Sequence, residues 1–227
     1  MVIDMIHFAP SILSADFTQL QRDIDDVQRG GADYLHFDVM DGMFVPSISF
    51  GVPVLKCVAK KTELFLDVHL MIVEPERYVE EFVKSGADLV TVHLETLKEP
   101  EKVIKQIHDL GVKAGLAINP ETPAEQSRPY LPMIDMAIVM SVHPGFGGQA
   151  YIPSSDKKIA QIAAWIREDG LSTDLEIDGG IKMENVEKVV SLGANVIVAG
   201  SAVFHGDVID NTKCFIEKIN KITPAAL

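Results

Sequence analysis

The chain of 227 residues is 47% hydrophobic, which provides enough apolar surface for one well-filled α/β domain. Its 20 basic and 33 acidic side chains give a net charge of −13, which argues against a nucleic-acid-binding or anionic-membrane surface. The sequence also lacks an apolar run of roughly 18 residues, a signal-peptide pattern and enough cysteines for a disulfide framework. We therefore expect a single cytoplasmic domain over residues 1–227, with no nucleic-acid partner and no membrane partner.

Short segments rich in β-branched residues alternate with helical patterns along the chain. Strands are predicted at 7–13, 34–40, 63–70, 89–94, 112–118, 133–142, 175–178 and 196–199. Helices are predicted at about 16–29, 52–60, 75–85, 100–110, from 122 onward, and at 155–168, 183–192 and 209–222. Eight strand–helix units are typical of a closed (β/α)8 TIM barrel, an α/β fold of about 250 residues. An open, doubly wound sheet is the alternative.

Local signals mark the ends of these predicted helices. The segments 16–19 and 122–125 have the spacing of a capping box, so helices are predicted to begin there. Three similar phrases stand where a helix passes into a strand: Gly30-Gly31-Ala32-Asp33, Ser85-Gly86-Ala87-Asp88 and Leu192-Gly193-Ala194-Asn195. Their glycines are predicted to cap helices at the end of the barrel opposite the site.

Metal-ligating side chains stand near the C-terminal ends of three predicted strands. Alternation places His36 and Asp38 on one face of the second strand, His69 faces the same way on the third, and Asp178 ends the seventh. Ligands of parallel α/β folds bind at these strand ends. Two imidazoles and two carboxylates suit zinc, iron(II), manganese or cobalt, and carboxylates buried together need a cation. We expect the four to hold one divalent ion and the two aspartates also to move protons.

Glycine-rich turns follow the last three predicted strands. They are Gly145-Phe146-Gly147-Gly148, Gly179-Gly180 and Gly200-Ser201. Glycine lets backbone N–H groups approach a phosphate closely, and phosphate sites in barrels often lie near strands seven and eight. These turns predict a phosphate site on three adjacent loops, which would let an acidic protein bind an anion locally.

Further side chains are expected around the metal and the phosphate. Met40 and Met71 share strand faces with the expected ligands and, with Met140, could form a polarizable, water-poor wall of the pocket. Ser11, near the end of the first strand, fits either a hydrogen bond to a substrate hydroxyl or a structural turn. Glu176 faces inward two residues before Asp178, and we interpret it as an interior carboxylate rather than a catalyst.

Six motifs, in order, carry a family resemblance through almost the whole chain: 10–16 (PSILSAD), 36–42 (HFDVMDG), 67–71 (DVHLM), 145–149 (GFGGQ), 178–180 (DGG) and 200–201 (GS). They closely resemble ribulose-phosphate 3-epimerases. The resemblance implies a metal-dependent barrel that interconverts D-ribulose 5-phosphate and D-xylulose 5-phosphate, with one metal ion per subunit. It also implies that His36, Asp38, His69 and Asp178 bind the metal, and that His69 and Asp178 contact the substrate.

The implied reaction requires removal of a weakly acidic C3 proton next to a carbonyl. A divalent cation that touches the C2 and C3 oxygens can stabilise the resulting enediolate. Asp38 and Asp178 would act from opposite faces of the sugar, one removing the proton and the other delivering one. A phosphate grip would hold C3 between the two carboxylates.

Three other functions remain open at this point. The first is 3-epimerisation of a hexulose phosphate such as D-allulose 6-phosphate, for which related enzymes share the metal and phosphate residues. The second is a lyase-type phosphosugar barrel, but such barrels generally have a catalytic lysine near the carboxylates, and the metal motifs contain none. The third is a catalytically silent phosphosugar-binding barrel, against which the retention of both aspartates argues.

The chain departs from the family pattern at Met43, Ser47 and His143. The family typically has histidine at the first of these positions and asparagine at the second. At the third it has glutamate, asparagine or aspartate. Because none of the three is an expected ligand, we expect catalysis to survive, while loop packing, subunit contacts and the identity of the sugar stay open. The resemblance further implies a homo-oligomer, either a dimer or a hexamer, and leaves the native metal undecided.

Overall fold

The structure is a computed structural model that describes residues 6–222, so the two ends of the expected domain 1–227 lie outside the described residues. Its strands are β1 (His7–Pro10), β2 (Tyr34–Met40), β3 (Phe65–Met71), β4 (Leu89–His93), β5 (Lys113–Ile118), β6 (Met136–Met140), β7 (Asp174–Asp178) and β8 (Val196–Ala199). They form one parallel sheet in the order β1-β8-β7-β6-β5-β4-β3-β2. A parallel bridge between Ser11 and His36 joins the two edges of this sheet. The predicted TIM barrel is therefore confirmed, and the open sheet is excluded.

Helices cover the outside of the barrel. They are α1 (Leu20–Gly30), α2 (Val52–Val58), α3 (Val79–Lys84), α4 (Pro100–Asp109), α5 (Ser155–Glu168), α6 (Val186–Ser191), α7 (Ser201–Phe204) and α8 (Val208–Lys221). Short 3-10 turns occur at Ile12–Ser14, Pro75–Arg77, Leu94–Thr96, Ala124–Gln126 and Arg128–Met133. Within residues 6–222, no helix combines the length and the apolar character needed to cross a bilayer.

The helix predicted from residue 122 onward is wrong. The chain after β5 forms only the 3-10 turns Ala124–Gln126 and Arg128–Met133, the second of which contains Pro132. Proline lacks the backbone N–H that an α-helix needs and clashes with the preceding turn. The hydroxyl of Thr122, instead of capping a helix, donates a hydrogen bond to Glu95.

Several other predicted boundaries shift, and two of these shifts have clear local reasons. Strand β1 ends at Pro10, and the chain turns at once, with the Ser11 hydroxyl accepting a hydrogen bond from the Leu13 N–H. Helix α1 begins at Leu20 because the Asp16 carboxylate bonds to the N–H and hydroxyl of Thr18, which closes a turn ahead of the helix. The glycine caps are confirmed: Gly31, Gly86 and Gly193 have φ of 99°, 111° and 111°.

Side-chain alternation along the strands separates two environments. Outward side chains of β2, such as Leu35 and Phe37, belong to the large apolar layer between barrel and helices. Inward side chains form a second apolar cluster, to which Tyr34 and Val196 belong. The inward side chains toward the C-terminal end of β2 and β3 are instead imidazoles and carboxylates. The fold thus places a polar group inside the barrel, above an apolar floor.

We predict that Gly115→Ala destabilises the barrel because an added methyl group would overlap the side chain of Thr91, its partner in the β4–β5 register. Overpacking of this kind typically costs about 1–3 kcal/mol of unfolding free energy. Urea unfolding followed by circular dichroism measures the change. Gly51→Ala is the control, since nothing lies within 4 Å of its added Cβ atom. Equal stability of the two variants would contradict the prediction.

Candidate metal and active site

Four donor atoms from three strands converge at the C-terminal end of the barrel. His36 Nε2 and His69 Nδ1 each lie 3.2 Å from Asp38 Oδ1. Asp178 Oδ2 lies 3.7 Å from His69 Nδ1 and 3.9 Å from His36 Nε2. Donors that share one ion at about 2.1 Å are separated by roughly 3 to 3.5 Å. Because the four atoms all lie within 4.8 Å of one another, small adjustments would let them hold a divalent cation.

Strand register brings these side chains together. In the β2–β3 ladder, His36 lies opposite Asp67, and Asp38 lies opposite His69. His36 Nδ1 is 2.6 Å from Asp67 Oδ2, and both side chains are fully buried. A carboxylate on one ring nitrogen of histidine leaves the other nitrogen available for a metal. Asp67 therefore directs His36 Nε2 toward the other donors.

The second histidine of the four-donor group contacts another histidine. His69 Nε2 is 2.8 Å from Nε2 of the fully buried His93, whose Nδ1 is 3.2 Å from Glu95 Oε2. Burial lowers the pKa of His93 to about 4, so this imidazole is neutral. Burial opposes ionisation of Glu95, but the hydrogen bond from His93, together with bonds from the loop after β5, lowers its pKa to about 2.

A second acidic group lies directly below the four donors. Glu176 Oε1 is 3.3 Å from His36 Nδ1, and neither Glu176 oxygen has a hydrogen-bond partner within residues 6–222. Burial, followed by the nearby charge of Asp67, raises the pKa of Glu176 well above its usual range. Burial thus favours the uncharged form of Glu176, consistent with its interpretation as an interior group.

The two aspartates have opposite proton affinities. Burial would raise the pKa of Asp38, but the charge of His36 and hydrogen bonds from both ligand histidines hold it well below the usual range. Burial and the neighbouring charge of Asp38 raise the pKa of Asp178 to about 7. In the absence of a metal ion, the two carboxyl groups of this site thus differ in protonation.

A cavity of about 580 Å³, including its open mouth, lies above the aspartates. Its walls contain fourteen of the sequence-predicted site residues: Ser11, Asp38, Met40, Met71, Met140, Gly145, Phe146, Gly147, Gly148, Asp178, Gly179, Gly180, Gly200 and Ser201. His36 and His69 are not in the walls; both are fully buried behind the aspartates. The aspartates therefore separate the histidines from the cavity.

Serine and methionine side chains have defined places in this arrangement. The Ser11 hydroxyl donates a 2.6 Å hydrogen bond to Asp38 Oδ2, the oxygen that does not face the histidines. Met40 and Met71 pack with Val45 in a small buried cluster, and Met140 belongs to the interior cluster of the barrel. Ser11 thus orients Asp38, while the methionines keep the floor of the cavity apolar.

The glycine loops present backbone rather than side chains to the cavity. Gly145, Gly148 and Gly180 have φ of 128°, 74° and 66°, values that side chains disfavour. Within residues 6–222, the N–H groups of Gly148 and Gly180 have no protein acceptor. An added Cβ on Gly180 would overlap the backbone of Tyr151. These loops therefore leave backbone donors free at the cavity.

Sequence reasoning missed several residues of the site. The sequence patterns indicated no role for Asp67, His93 or Glu95. Inward alternation in β4 is the signal that could have identified His93. Lys182, a cation in the cavity wall, follows Asp178 by four residues on the same loop and could have been found from that spacing.

Comparison with known proteins finds a family model and relatives that match most of the chain. The model of the ribulose-phosphate 3 epimerase family matches residues 7–204. Ribulose-phosphate 3-epimerase from Synechocystis sp. is 49% identical, with 87% of this chain and 86% of the relative covered. Ribulose-phosphate 3-epimerase from Bacillus subtilis is 47% identical, with 88% of this chain and 93% of the relative covered.

Solved structures share the fold at much lower sequence identity. The 3-keto-L-gulonate-6-phosphate decarboxylase from Vibrio cholerae has a TM-score of 0.74 at 13% identity, covering 97% of this chain and 99% of that one. Phosphoribosyl anthranilate isomerase from Thermus thermophilus has a TM-score of 0.69 at 14% identity, covering 96% of this chain and 100% of that one. At these identities the likeness establishes the barrel alone.

We predict that metal affinity rises with pH between about 6 and 8. Burial opposes a charge on His36, but the carboxylates of Asp38, Asp67 and Glu176 outweigh it and raise the pKa of His36 well above its usual value. His36 and Asp178 must therefore release protons when a cation binds, at about tenfold in affinity per pH unit for each proton. Calorimetric titration with zinc, in buffers of different ionisation enthalpy, measures both affinity and proton release.

The same two groups determine whether the stability of chelator-treated protein rises or falls with pH. His36 and Asp178 bind protons more tightly in the folded chain than in the unfolded chain. Their contribution to stability is therefore present at low pH and is lost as pH rises through their folded pKa values. The Tm of chelator-treated protein should fall between about pH 6.5 and 8, above the range in which the lowered pKa of His93 acts in the opposite direction. Zinc affinity independent of pH would contradict the assignment.

Proposed function

The chain belongs to the ribulose-phosphate 3-epimerase family, and we propose that it interconverts D-ribulose 5-phosphate and D-xylulose 5-phosphate using Asp38 and Asp178. The observation that carries this proposal is the pair of carboxyl groups, Asp38 and Asp178, that face one cavity beside the two buried histidines. Epimerisation requires one group that takes the C3 proton and another that returns a proton to the opposite face. A single base would tend to return the proton to the side from which it came.

The donor set supports a single divalent ion in each subunit, bound by His36, Asp38, His69 and Asp178. Zinc, iron(II), manganese and cobalt all accept two imidazoles and two carboxylates with open positions for a substrate. When bound, such an ion would polarise the C2 and C3 oxygens of the sugar and stabilise the negative charge of the enediolate.

The protein groups divide the proton transfer between them. Asp38, ionised and held by the Ser11 hydroxyl, can accept the C3 proton from one face of the sugar. Asp178, with 13% of its side chain exposed, faces the same cavity, and in its protonated state it can deliver a proton from the other face. In the reverse reaction the roles exchange. Met40 and Met71 keep water away from the reacting carbon.

The phosphate fits the glycine-rich side of the cavity. The free N–H groups of Gly148 and Gly180 are suitable donors to phosphate oxygens. Lys182 is the cation among the wall residues, whereas the other charged wall residues are Asp38 and Asp178. We therefore place the phosphate near Lys182 and the reacting carbons near the aspartates.

A homo-oligomer, either a dimer or a hexamer, also remains part of the proposal. Exposed apolar side chains on adjacent loops at the C-terminal end of the barrel support it, since Met43 is 76% and Ile48 is 78% exposed. Val73 lies beside them, with its N–H bonded to Asp41 at the start of the same loop. The family departure at Met43 thus falls on this surface. A cytoplasmic location likewise stays a prediction.

Deuterium incorporation at C3 tests the function and the sugar. In heavy water, the zinc- or manganese-loaded protein should exchange the C3 proton of D-ribulose 5-phosphate and form D-xylulose 5-phosphate, followed by NMR. Chelator-treated protein is the control and should be slower. A preference for D-allulose 6-phosphate would preserve the chemistry and change the substrate. Exchange with neither sugar in metal-loaded protein would refute the epimerase proposal and favour a silent binding barrel.

Asp178→Asn tests the two-carboxylate mechanism. We expect kcat/KM to fall about 10²- to 10⁴-fold, the usual contribution of a general acid–base group. Because Asp38 remains and serves one face only, the variant should still exchange the C3 proton of one epimer without inverting it. Metal content is measured in parallel because Asp178 is also a donor. Asp25→Asn on α1 is the control for loss of a carboxylate, and interconversion within tenfold of the parent in Asp178→Asn would contradict this assignment.

A further inference from the structure

We propose that Glu95, acting through His93, is a positioning residue that keeps His69 in the tautomer whose Nδ1 is free to bind the metal ion. This inference rests on the proposed metal site. The series Glu95–His93–His69, called the relay below, runs from the loop after β4 to the four donor atoms. Neither His93 nor Glu95 touches the cavity.

The relay is a continuous line of hydrogen-bond contacts. Glu95 Oε2 is 3.2 Å from His93 Nδ1, and His93 Nε2 is 2.8 Å from His69 Nε2. The two imidazole centroids are 4.9 Å apart, and the ring planes differ by 21°. Because the closest nitrogens are 2.8 Å apart, the rings meet edge to edge, and a linear N–H···N bond is possible. The opposite edge of His69 presents Nδ1 toward Asp38 Oδ1.

Counting protons along the relay determines each tautomer. An ionised carboxylate only accepts hydrogen bonds, so His93 must carry its proton on Nδ1. A neutral imidazole has one N–H, which leaves His93 Nε2 as an acceptor. His69 must then carry its proton on Nε2, and its Nδ1 keeps the lone pair that a metal requires. Through two hydrogen bonds, Glu95 therefore determines which nitrogen of His69 can bind the metal.

Glu95 is itself held so that only one of its oxygens faces the relay. Its Oε1 accepts a 2.7 Å bond from the Asn119 N–H and a bond from the Thr122 hydroxyl. Lys158 of α5 fixes this loop by donating to the carbonyls of Asn119, at 2.8 Å, and Pro120, at 2.7 Å. The other oxygen, Oε2, is thereby directed at His93. The loop that replaces the predicted helix after β5 thus anchors the relay.

Solvent has little access to the middle of the relay. His93 is fully buried, and the ring of Phe44 packs against it with centroids 4.8 Å apart. Water therefore cannot readily supply a donor or acceptor in place of Glu95. His36 has no need of such a relay, because Asp67 contacts its Nδ1 directly. The two ligand histidines are positioned in different ways because His36 faces the donors with Nε2 and His69 with Nδ1.

Glu95→Gln tests the relay with an isosteric change. The glutamine oxygen would accept the bonds from Asn119 and Thr122, and its NH2 group would face His93 Nδ1. A donor there favours the His93 tautomer protonated on Nε2, which in turn favours a proton on His69 Nδ1, the metal-facing atom. We expect zinc affinity, measured by competition with a chelator, to fall 10- to 100-fold, as for other residues that orient metal ligands.

Nitrogen-15 NMR of the histidines supplies a readout that does not depend on activity. In the zinc-loaded parent, His93 should be protonated on Nδ1 and not on Nε2. A parent protein with the opposite His93 tautomer would overturn the relay even if Glu95→Gln failed to fold. Glu99→Gln, which removes the same charge from an exposed site at the start of α4, should retain parent zinc affinity. Thr122→Val, which keeps the Glu95 carboxylate, should lower affinity less than Glu95→Gln.

The outcomes separate this inference from the metal site itself. If the parent does not bind zinc, or if His69→Ala binds it as tightly as the parent, the proposed metal site fails. If the parent binds zinc through His69 but Glu95→Gln binds it equally well with His93 still protonated on Nδ1, only the relay fails. Lower zinc affinity together with a moved His93 proton supports the relay.

Discussion

The interior of this barrel holds more ionisable groups than an apolar core can accommodate unless their charges are compensated. Oxygens of four carboxyl groups, from Asp38, Asp67, Glu176 and Asp178, lie within 3.9 Å of a ring nitrogen of His36. An uncompensated buried ion costs several kcal/mol. Part of the charge is removed by keeping Glu176 protonated, and part is balanced by positive charge at His36. A divalent cation would supply that positive charge and leave His36 neutral.

The same constraint explains why metal binding depends on the hydrogen-bond partners of the histidines as well as on the ligands themselves. A metal requires an unprotonated nitrogen from each histidine, and only a partner on the opposite nitrogen can secure it. Asp67 does this for His36 by direct contact, and the relay from Glu95 does it for His69. The barrel strands provide both partners because neighbouring inward side chains lie side by side. Buried side chains in the barrel interior therefore orient the groups that lie next to the cavity.

The comparisons illustrate how little the barrel alone says about chemistry. A decarboxylase with a TM-score of 0.74 shares the architecture at 13% identity, whereas epimerases at 47% to 49% identity share the family. What distinguishes the proposed reaction is the placement of two aspartates at one cavity, beside two buried histidines. Loops can change around a barrel while the strand ends keep their positions, which is why one fold supports many reactions.

The sequence by itself determined the barrel, the order of its strands and the identity of the residues at their C-terminal ends. These follow from short-range rules, because alternation in a strand decides which side chains share a face and glycine marks where helices end. It could not determine that the helix after β5 is absent, or that Thr122 bonds to Glu95 instead of capping. Nor did it identify the roles of His93 and Glu95. Those depend on contacts between strands that are distant in the chain, and only closure of the barrel brings the groups within hydrogen-bonding distance and buries them, thereby setting their protonation.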